Sequence, residues 1–338
     1  MPNSGSGPTW CRPTSEVRTP EGTPGIRRSR LVGRSPPGRE AILTDIIQQL
    51  IDGLGRGSGY ALLALGLAII FGVMHLVNFA HGEVITVSAY LGYWLSIHGT
   101  SWWLIALAAL GASTLTAVII EFVAFRRVRG AEDFTMLLTS FGVAIVVRAG
   151  FSMWVSTKPR QFDKPGWIFN TVKVFGISLE VYDLIVIGVT AVTLAAVAYL
   201  LRRTMFGVSL RAAAEDFDAA RLMGIRANRV ISGAFALSGL LAGVAAVMIL
   251  MRRGQAEPGM GLDILLPGVL AAVIGGLGSL SGAVLGGFAL GLAEVMVRAW
   301  ILPEGFTGLT DGVVFALIAI LFIFRPEGFI RVGHAERV

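Results

Sequence analysis

The chain has 338 residues, 54% of them hydrophobic and only 15% charged, with a mean hydropathy of +0.72. Soluble domains carry about a quarter charged residues, so an ordinary water-soluble globular fold is excluded. Of the net charge of +6, residues 1–40 supply +4, with seven Arg against Glu16, Glu21 and Glu40; the body's basic residues lie in loops between apolar runs, which excludes a nucleic-acid surface.

The single cysteine, Cys11, and the scattered His75, His81, His98 and His334 exclude a disulfide scaffold, a zinc cluster and thiol chemistry. The 43 glycines follow no three-residue period, so they predict close helix packing in lipid rather than collagen.

Residues 1–40 hold seven of the thirteen prolines and almost no apolar cluster, so they are expected to be disordered. No apolar core precedes residue 41, so this is no signal peptide; an over-extended start is one expectation. Residues 43–51 are expected to lie flat at the interface or to begin a span.

From residue 41 to 331 the apolar runs predict an all-α polytopic membrane domain with about eight or nine spans, some short or discontinuous. The runs are Gly57–Gly82, Val84–Ile120 (two helices turned at 98–101, with Trp102 and Trp103 at the boundary), Phe134–Val147, Leu184–Leu201, Val230–Met251, Ile264–Ala293 and Gly312–Phe324. Residues 332–338 form a short tail.

Arg126, Arg127 and Arg129, the six Arg of loop 202–229, and Arg325 with Arg331 place three segments on the cytoplasmic side. Loop 156–181 then lies on the opposite face, and residues 172–181 there read as a small hairpin about Phe175-Gly176.

Three motifs stand out. Asn78-Phe79-Ala80-His81-Gly82-Glu83 is a polar hexamer between charge-free runs, read either as a short cytoplasmic turn or as a break in a discontinuous helix lining a path. His75 and His81 are six apart, off a common helical face, so no metal pair is expected.

In the loop 202–229, Ser209 can cap a helix and Gly224 can end it; Leu210, Ala213, Ala214, Phe217 and Ala220 share one stripe while Glu215, Asp216 and Asp218 face elsewhere. Such a helix is either solvated or a docking element. In the third motif Gly278, Gly282 and Gly286 recur every four residues, with Gly287 and Gly291 repeating the interval, a ridge for close helix contact.

The glycines are no phosphate loop, because none precedes Lys-Ser/Thr, and the only lysines are Lys158, Lys164 and Lys173. Of the ionisable residues within spans, Glu121 and the Glu294/Arg298 pair read as interfacial or structural, whereas Arg148 either lines a path or snorkels to a headgroup. No nucleophile, base and carboxylate can be argued to converge, so an enzyme is unsupported.

The block from Gly57-Ser58-Gly59-Tyr60-Ala61-Leu62 to Asn78–Glu83, the Arg211–Ile225 loop, and Val273-Ile274-Gly275-Gly276-Leu277-Gly278-Ser279 on to Glu294 resemble, in order and spacing over about residues 45–330, the permease subunits of branched-chain amino acid ABC importers, the LivH type. Residues 1–40 have no counterpart in that family.

The resemblance implies a bacterial inner-membrane protein paired with a second, homologous permease, two cytoplasmic ATPases that use ATP, and an extracytoplasmic substrate-binding protein. This chain would bind no cofactor or nucleic acid. It implies a translocation path involving Asn78, His81, Gly82, Glu83 and Arg148, and ATPase coupling through Arg211, Glu215, Asp216, Phe217, Ala220 and Gly224. Two alternatives stay open: a urea or short-amide ABC importer, and an ion-coupled secondary transporter.

Overall fold

The computed structural model describes residues 39–155, 157–162, 164–174, 177–301 and 309–324. The tails at 1–38 and 325–338, and with them the expectations made for those segments, lie outside the described residues.

The described chain is a bundle of helices. α1 (Arg39–Met74) leads through a short break to α2 (His81–Ile97) and α3 (Trp102–Ile120); α3 continues through a π turn (Glu121–Phe125) into α4 (Arg126–Val128). Next come α5 (Asp133–Trp154), β1 (Arg160–Gln161), β2 (Thr171–Val174), β3 (Ile177–Glu180), α6 (Val181–Arg203), α7 (Met205–Glu215), α8 (Phe217–Leu222) and α9 (Ala227–Arg253). β4 (Gln255–Ala256), α10 (Met260–Gly275), α11 (Leu280–Met296), a second π turn (Val297–Ile301) and α12 (Thr310–Phe324) complete it.

Six of these helices are long and apolar enough to cross a membrane: Thr44–Met74, Trp102–Val128, Asp133–Trp154, Val181–Arg203, Ala227–Arg253 and Leu280–Ile301. α2, α10 and α12, at 17, 16 and 15 residues, fall below the ~20 residues a full crossing needs. Residues 43–51 are not a separate flat helix; they belong to the first turns of α1, whose 31-residue apolar span at about 1.5 Å per residue exceeds the ~30 Å hydrocarbon core.

The two sides can be told apart. The arginines of α4 and of the α6–α9 connection lie at one end of the bundle, where Arg129 donates to Asn228 at 2.6 Å. At the other end β1 pairs antiparallel with β4 (Arg160 opposite Ala256), and β2 with β3 (Val174 opposite Ile177). Trp94, Trp103, Trp154 and Trp167 stand exposed at that same end, the level at which indole rings settle between headgroups and hydrocarbon.

The core is the contact of α1 with α9, α10 and α11, filled by Leu62, Leu63, Ile69, Phe235 and Leu241. Glycine makes this contact close. A Cβ added to Gly57 would lie 2.8 Å from Phe288 Cα, and one on Gly291 would overlap Gly57 itself. On the other face of α11, a Cβ on Gly282 would overlap the Gly275 carbonyl oxygen, and one on Gly286 the carbonyl oxygen of Ala271.

Gly278 does not belong to this ridge. The Ile264–Ala293 run folds as a hairpin of α10 and α11, and Gly278 is exposed in the turn between them, where Gly276 takes a φ of +96° and Ser279 caps α11 by accepting from the Gly282 N–H at 3.0 Å. A serine poised to cap starts the helix two residues beyond Gly278, which sequence spacing alone does not show.

Candidate functional site

α1 stops at Met74 because His75 turns to a φ of +56°, a left-handed conformation costly for a side-chain-bearing residue. The Asn78 side chain accepts from the Ala80 N–H at 3.0 Å, and the Phe79 N–H reaches Ser140 Oγ on α5 at 3.4 Å while its ring stacks on Phe141. Asn78 and His81 are buried, so the hexamer is interior and not a solvated turn.

Its depth follows from its partners. His81 Nδ1 lies 3.4 Å from Ser238 Oγ, which donates to the Gly66 carbonyl at 2.8 Å. Gly66 is in the apolar stretch of α1 and Ser238 is eleven residues into the 27-residue α9, so α2 begins well inside the bundle.

There it meets α10 end to end. A Cβ on Gly82 would overlap the Gly261 carbonyl oxygen, and one on Gly261 would lie 2.5 Å from Thr86 Oγ1. Thus Gly82 serves a backbone-to-backbone contact between the first turns of two short helices. Glu83, on the next residue, is fully buried, and neither carboxylate oxygen has a hydrogen-bond partner among the described residues.

The same is true of His81 Nε2, Thr86 Oγ1 and the Tyr90 hydroxyl. Glu83, Thr86 and Tyr90 stand at i, i+3 and i+7, one face of α2. Each unsatisfied buried group costs roughly 1–3 kcal/mol, so a row of them is retained for something other than stability. Arg148 is exposed on α5, but its guanidinium lies 3.2 Å from where a Cβ on Gly259 would stand, directly before α10.

At the arginine-rich end the expected single helix is two. Thr204, not Ser209, caps α7 by accepting from the Gly207 N–H at 3.3 Å; Ser209 sits within the helix and donates to the Met205 carbonyl. The chain breaks at Asp216 (φ −152°, ψ 108°), whose carboxylate accepts from the Ala219 N–H at 3.0 Å and starts α8 at Phe217. Asp favours a cap over a helix interior, which is why the break falls there.

Gly224 ends the segment with a φ of +84°. Arg211 donates to the Leu201 carbonyl and ties α7 to α6, Leu210, Ala213 and Ala220 are buried, and Glu215 and Asp216 face solvent. Beyond them Leu222 and Met223 are 89% and 84% exposed, too apolar a tip to be left in water without purpose.

Residues 49–323 match the family described as the permease component of the branched-chain amino acid transport system. The permease BraD of Pseudomonas aeruginosa is 32% identical over 304 residues, covering 86% of this chain and 98% of that protein. LivH of Salmonella typhimurium is 32% identical and LivH of Escherichia coli 31%, each over 305 residues, 86% of this chain and 97% of the relative. The chain belongs to the branched-chain amino acid permease family.

Two charged groups of this family member are structural. Glu121, buried at the start of the π turn, is ion-paired with Arg129 and accepts from Ser232 Oγ at 2.8 Å. Glu294 pairs with Arg56, accepts from the Tyr60 hydroxyl at 2.8 Å, and also forms the expected i,i+4 ion pair with Arg298 at 3.9 Å.

Sequence reasoning missed three features. Thr86 and Tyr90 were signalled only by their spacing from Glu83, and Leu222 with Met223 by an apolar pair in a charged loop. A cavity of about 250 Å³ at the outer end, lined by Asp52, Arg56, Glu180, Asp183, Arg252 and Arg298, draws on four distant segments.

Proposed function

We propose that this chain is the membrane-spanning subunit of an ATP-driven importer of branched-chain amino acids, with the polar row Asn78, His81, Glu83, Thr86 and Tyr90 and Arg148 along the translocation path. The observation that carries the reading is the meeting of α2 and α10 inside the bundle beside buried polar groups without partners. Broken helices are tolerated at membrane depth where backbone and side chains serve a cargo or a cavity. The relatives named for branched-chain amino acids support the choice of cargo.

In this reading α7 and α8, tipped by Leu222 and Met223, seat a cytoplasmic ATPase. A second, homologous permease completes the membrane unit, and an extracytoplasmic binding protein delivers cargo at the end bearing β1–β4. Domain closure in two ATPases would then shift the bundle by rigid-body motion between outward-open and inward-open forms. This chain contributes the passage and hydrolyses nothing.

The test is reconstitution of the chain with its genomic neighbours in liposomes. ATP-dependent leucine, isoleucine and valine uptake is expected. Urea uptake without leucine uptake would redirect the cargo, and leucine uptake driven by a proton gradient without ATPases would overturn the mechanism.

A further inference from the structure

Arg148 occupies an electrostatically wrong place. The N-terminus of a helix carries a partial positive charge and several N–H groups without intrahelical partners, so it favours an anion. Here a guanidinium lies against Gly259, the residue before α10, with no ion-pair or hydrogen-bond partner among the described residues. Two like-signed features face the same spot, and what would satisfy both is a carboxylate.

The nearest buried carboxylate does not fill that role. The Arg148 charge acts on Glu83, yet the two are not in ion-pair contact, and the Glu83 carboxylate has the Thr86 hydroxyl beside it but no charged partner among the described residues. Glu83 follows Gly82 in the first turn of α2, the turn that meets α10 at Gly261, and Thr86 Oγ1 stands 2.5 Å from where a Cβ on Gly261 would be. A fully buried carboxylate without an ion-pair partner calls for a cation.

We infer that Arg148 with the first turn of α10 and Glu83 with α2 are the two poles of a seat for a zwitterionic α-amino acid, its carboxylate at Arg148 and its ammonium at Glu83. This rests on the reading of the chain as an amino acid permease and assigns the chemistry of recognition within it. In the conformation described the seat is shut. Opening it requires α2 and α10 to part at Gly82 and Gly261, where the contact is backbone to backbone and is flanked by the side chains of Thr86 and Leu265. An uncharged cargo such as urea would leave both poles unpaired, so the same two residues exclude it.

The test uses the complete reconstituted complex, with leucine uptake and leucine-displaceable binding as readouts and co-purification of the ATPases as the measure of assembly. Arg148→Gln and Glu83→Gln are expected to assemble and to lose leucine uptake by roughly 10²-fold, the scale of truncating one member of a charge pair that the seated cargo would bury. Leucinol, which lacks the carboxylate, should compete in a manner sensitive to Glu83→Gln and indifferent to Arg148→Gln. 4-Methylpentanoate, which lacks the ammonium, should show the reverse.

Wild-type uptake by both variants, or equal response of both analogues to both variants, overturns the seat while leaving the permease intact. If the unmodified complex fails to move leucine, the underlying reading has failed instead. Should a glutamine variant not assemble, Arg148→Lys and Glu83→Asp carry the same crossed comparison.

Discussion

Substituting alanine for glycine within a helix is expected to stabilise it by roughly 0.5–1 kcal/mol where there is room. Gly142, on α5, has nothing within 4 Å of an added Cβ, so Gly142→Ala should show that gain. Gly282→Ala makes the same chemical change at the opposite extreme: the new methyl overlaps the Gly275 carbonyl oxygen and lies 2.9 Å from its carbonyl carbon. Backbone cannot rotate away as a side chain does, so α10 and α11 must separate, at an overpacking cost of about 1–3 kcal/mol. The helix-propensity gain is common to both, so the two variants should differ by the overpacking cost, about 1–3 kcal/mol, with Gly142→Ala the more stable. Denaturation of the purified subunit in mixed micelles measures this directly. Gly282→Leu should fail to assemble, whereas Leu285→Ala, at a side chain 58% exposed, should assemble normally. If Gly282→Ala unfolds no earlier than Gly142→Ala, the close approach of α10 and α11 is wrong.

Leu222→Asp with Met223→Asp should abolish co-purification of the ATPases without changing membrane insertion; retained co-purification would place the docking surface elsewhere. Replacing Glu215 and Asp216 by Lys should leave insertion intact and uncouple hydrolysis from uptake, which substrate-stimulated ATPase activity reads; Asp216→Ala alone removes the cap of α8, worth about 1 kcal/mol. Arg129→Leu leaves Glu121 buried without its ion partner, an expected loss of about 3–5 kcal/mol that should appear as a low folded yield.

Much of the fold was legible because lipid imposes one rule, that charge-free runs of sufficient length become helices. The limits had local causes. Ile264–Ala293 reads as one stretch because hydropathy does not register a cap; Ser279 and Gly276 divide it. The 202–229 loop reads as one helix because Leu210, Ala213 and Ala220 keep helical spacing across the break, and all three are buried although Asp216 starts a new helix between them. For the hexamer, composition could not separate a turn from a break; burial of Asn78 and the His81–Ser238–Gly66 chain decide it. Arg56 as the partner of Glu294 joins positions 238 residues apart, and no local pattern carries that.

The distribution of burial shows which part of the molecule could move as a unit. Inside the bundle, 72% of the apolar window of α1 and 67% of that of α9 are covered by the chain itself, against 17% for α5 and 22% for α6. α1, α9, α10 and α11 are therefore a frame locked by glycine contacts, and α5 and α6 present most of their surface to lipid or to a neighbouring subunit. α6 ends at Arg203, and Thr204 starts α7 without a spacer, with Arg211 bonded back to Leu201. A push on Leu222 and Met223 would thus reach the loosely held α6 through Arg211 and the frame through Phe206, which packs against Gly233 of α9. α5 holds the break through Ser140 and Phe141 and carries Arg148 on the same helix, so a shift of α5 relative to the frame would move the Arg148 guanidinium across Gly259 and displace Phe79 together. Through α5 the break and the exposed arginine would move together, which would give a role to a charge six residues before the end of a helix whose other charged residue, Asp133, stands at its start.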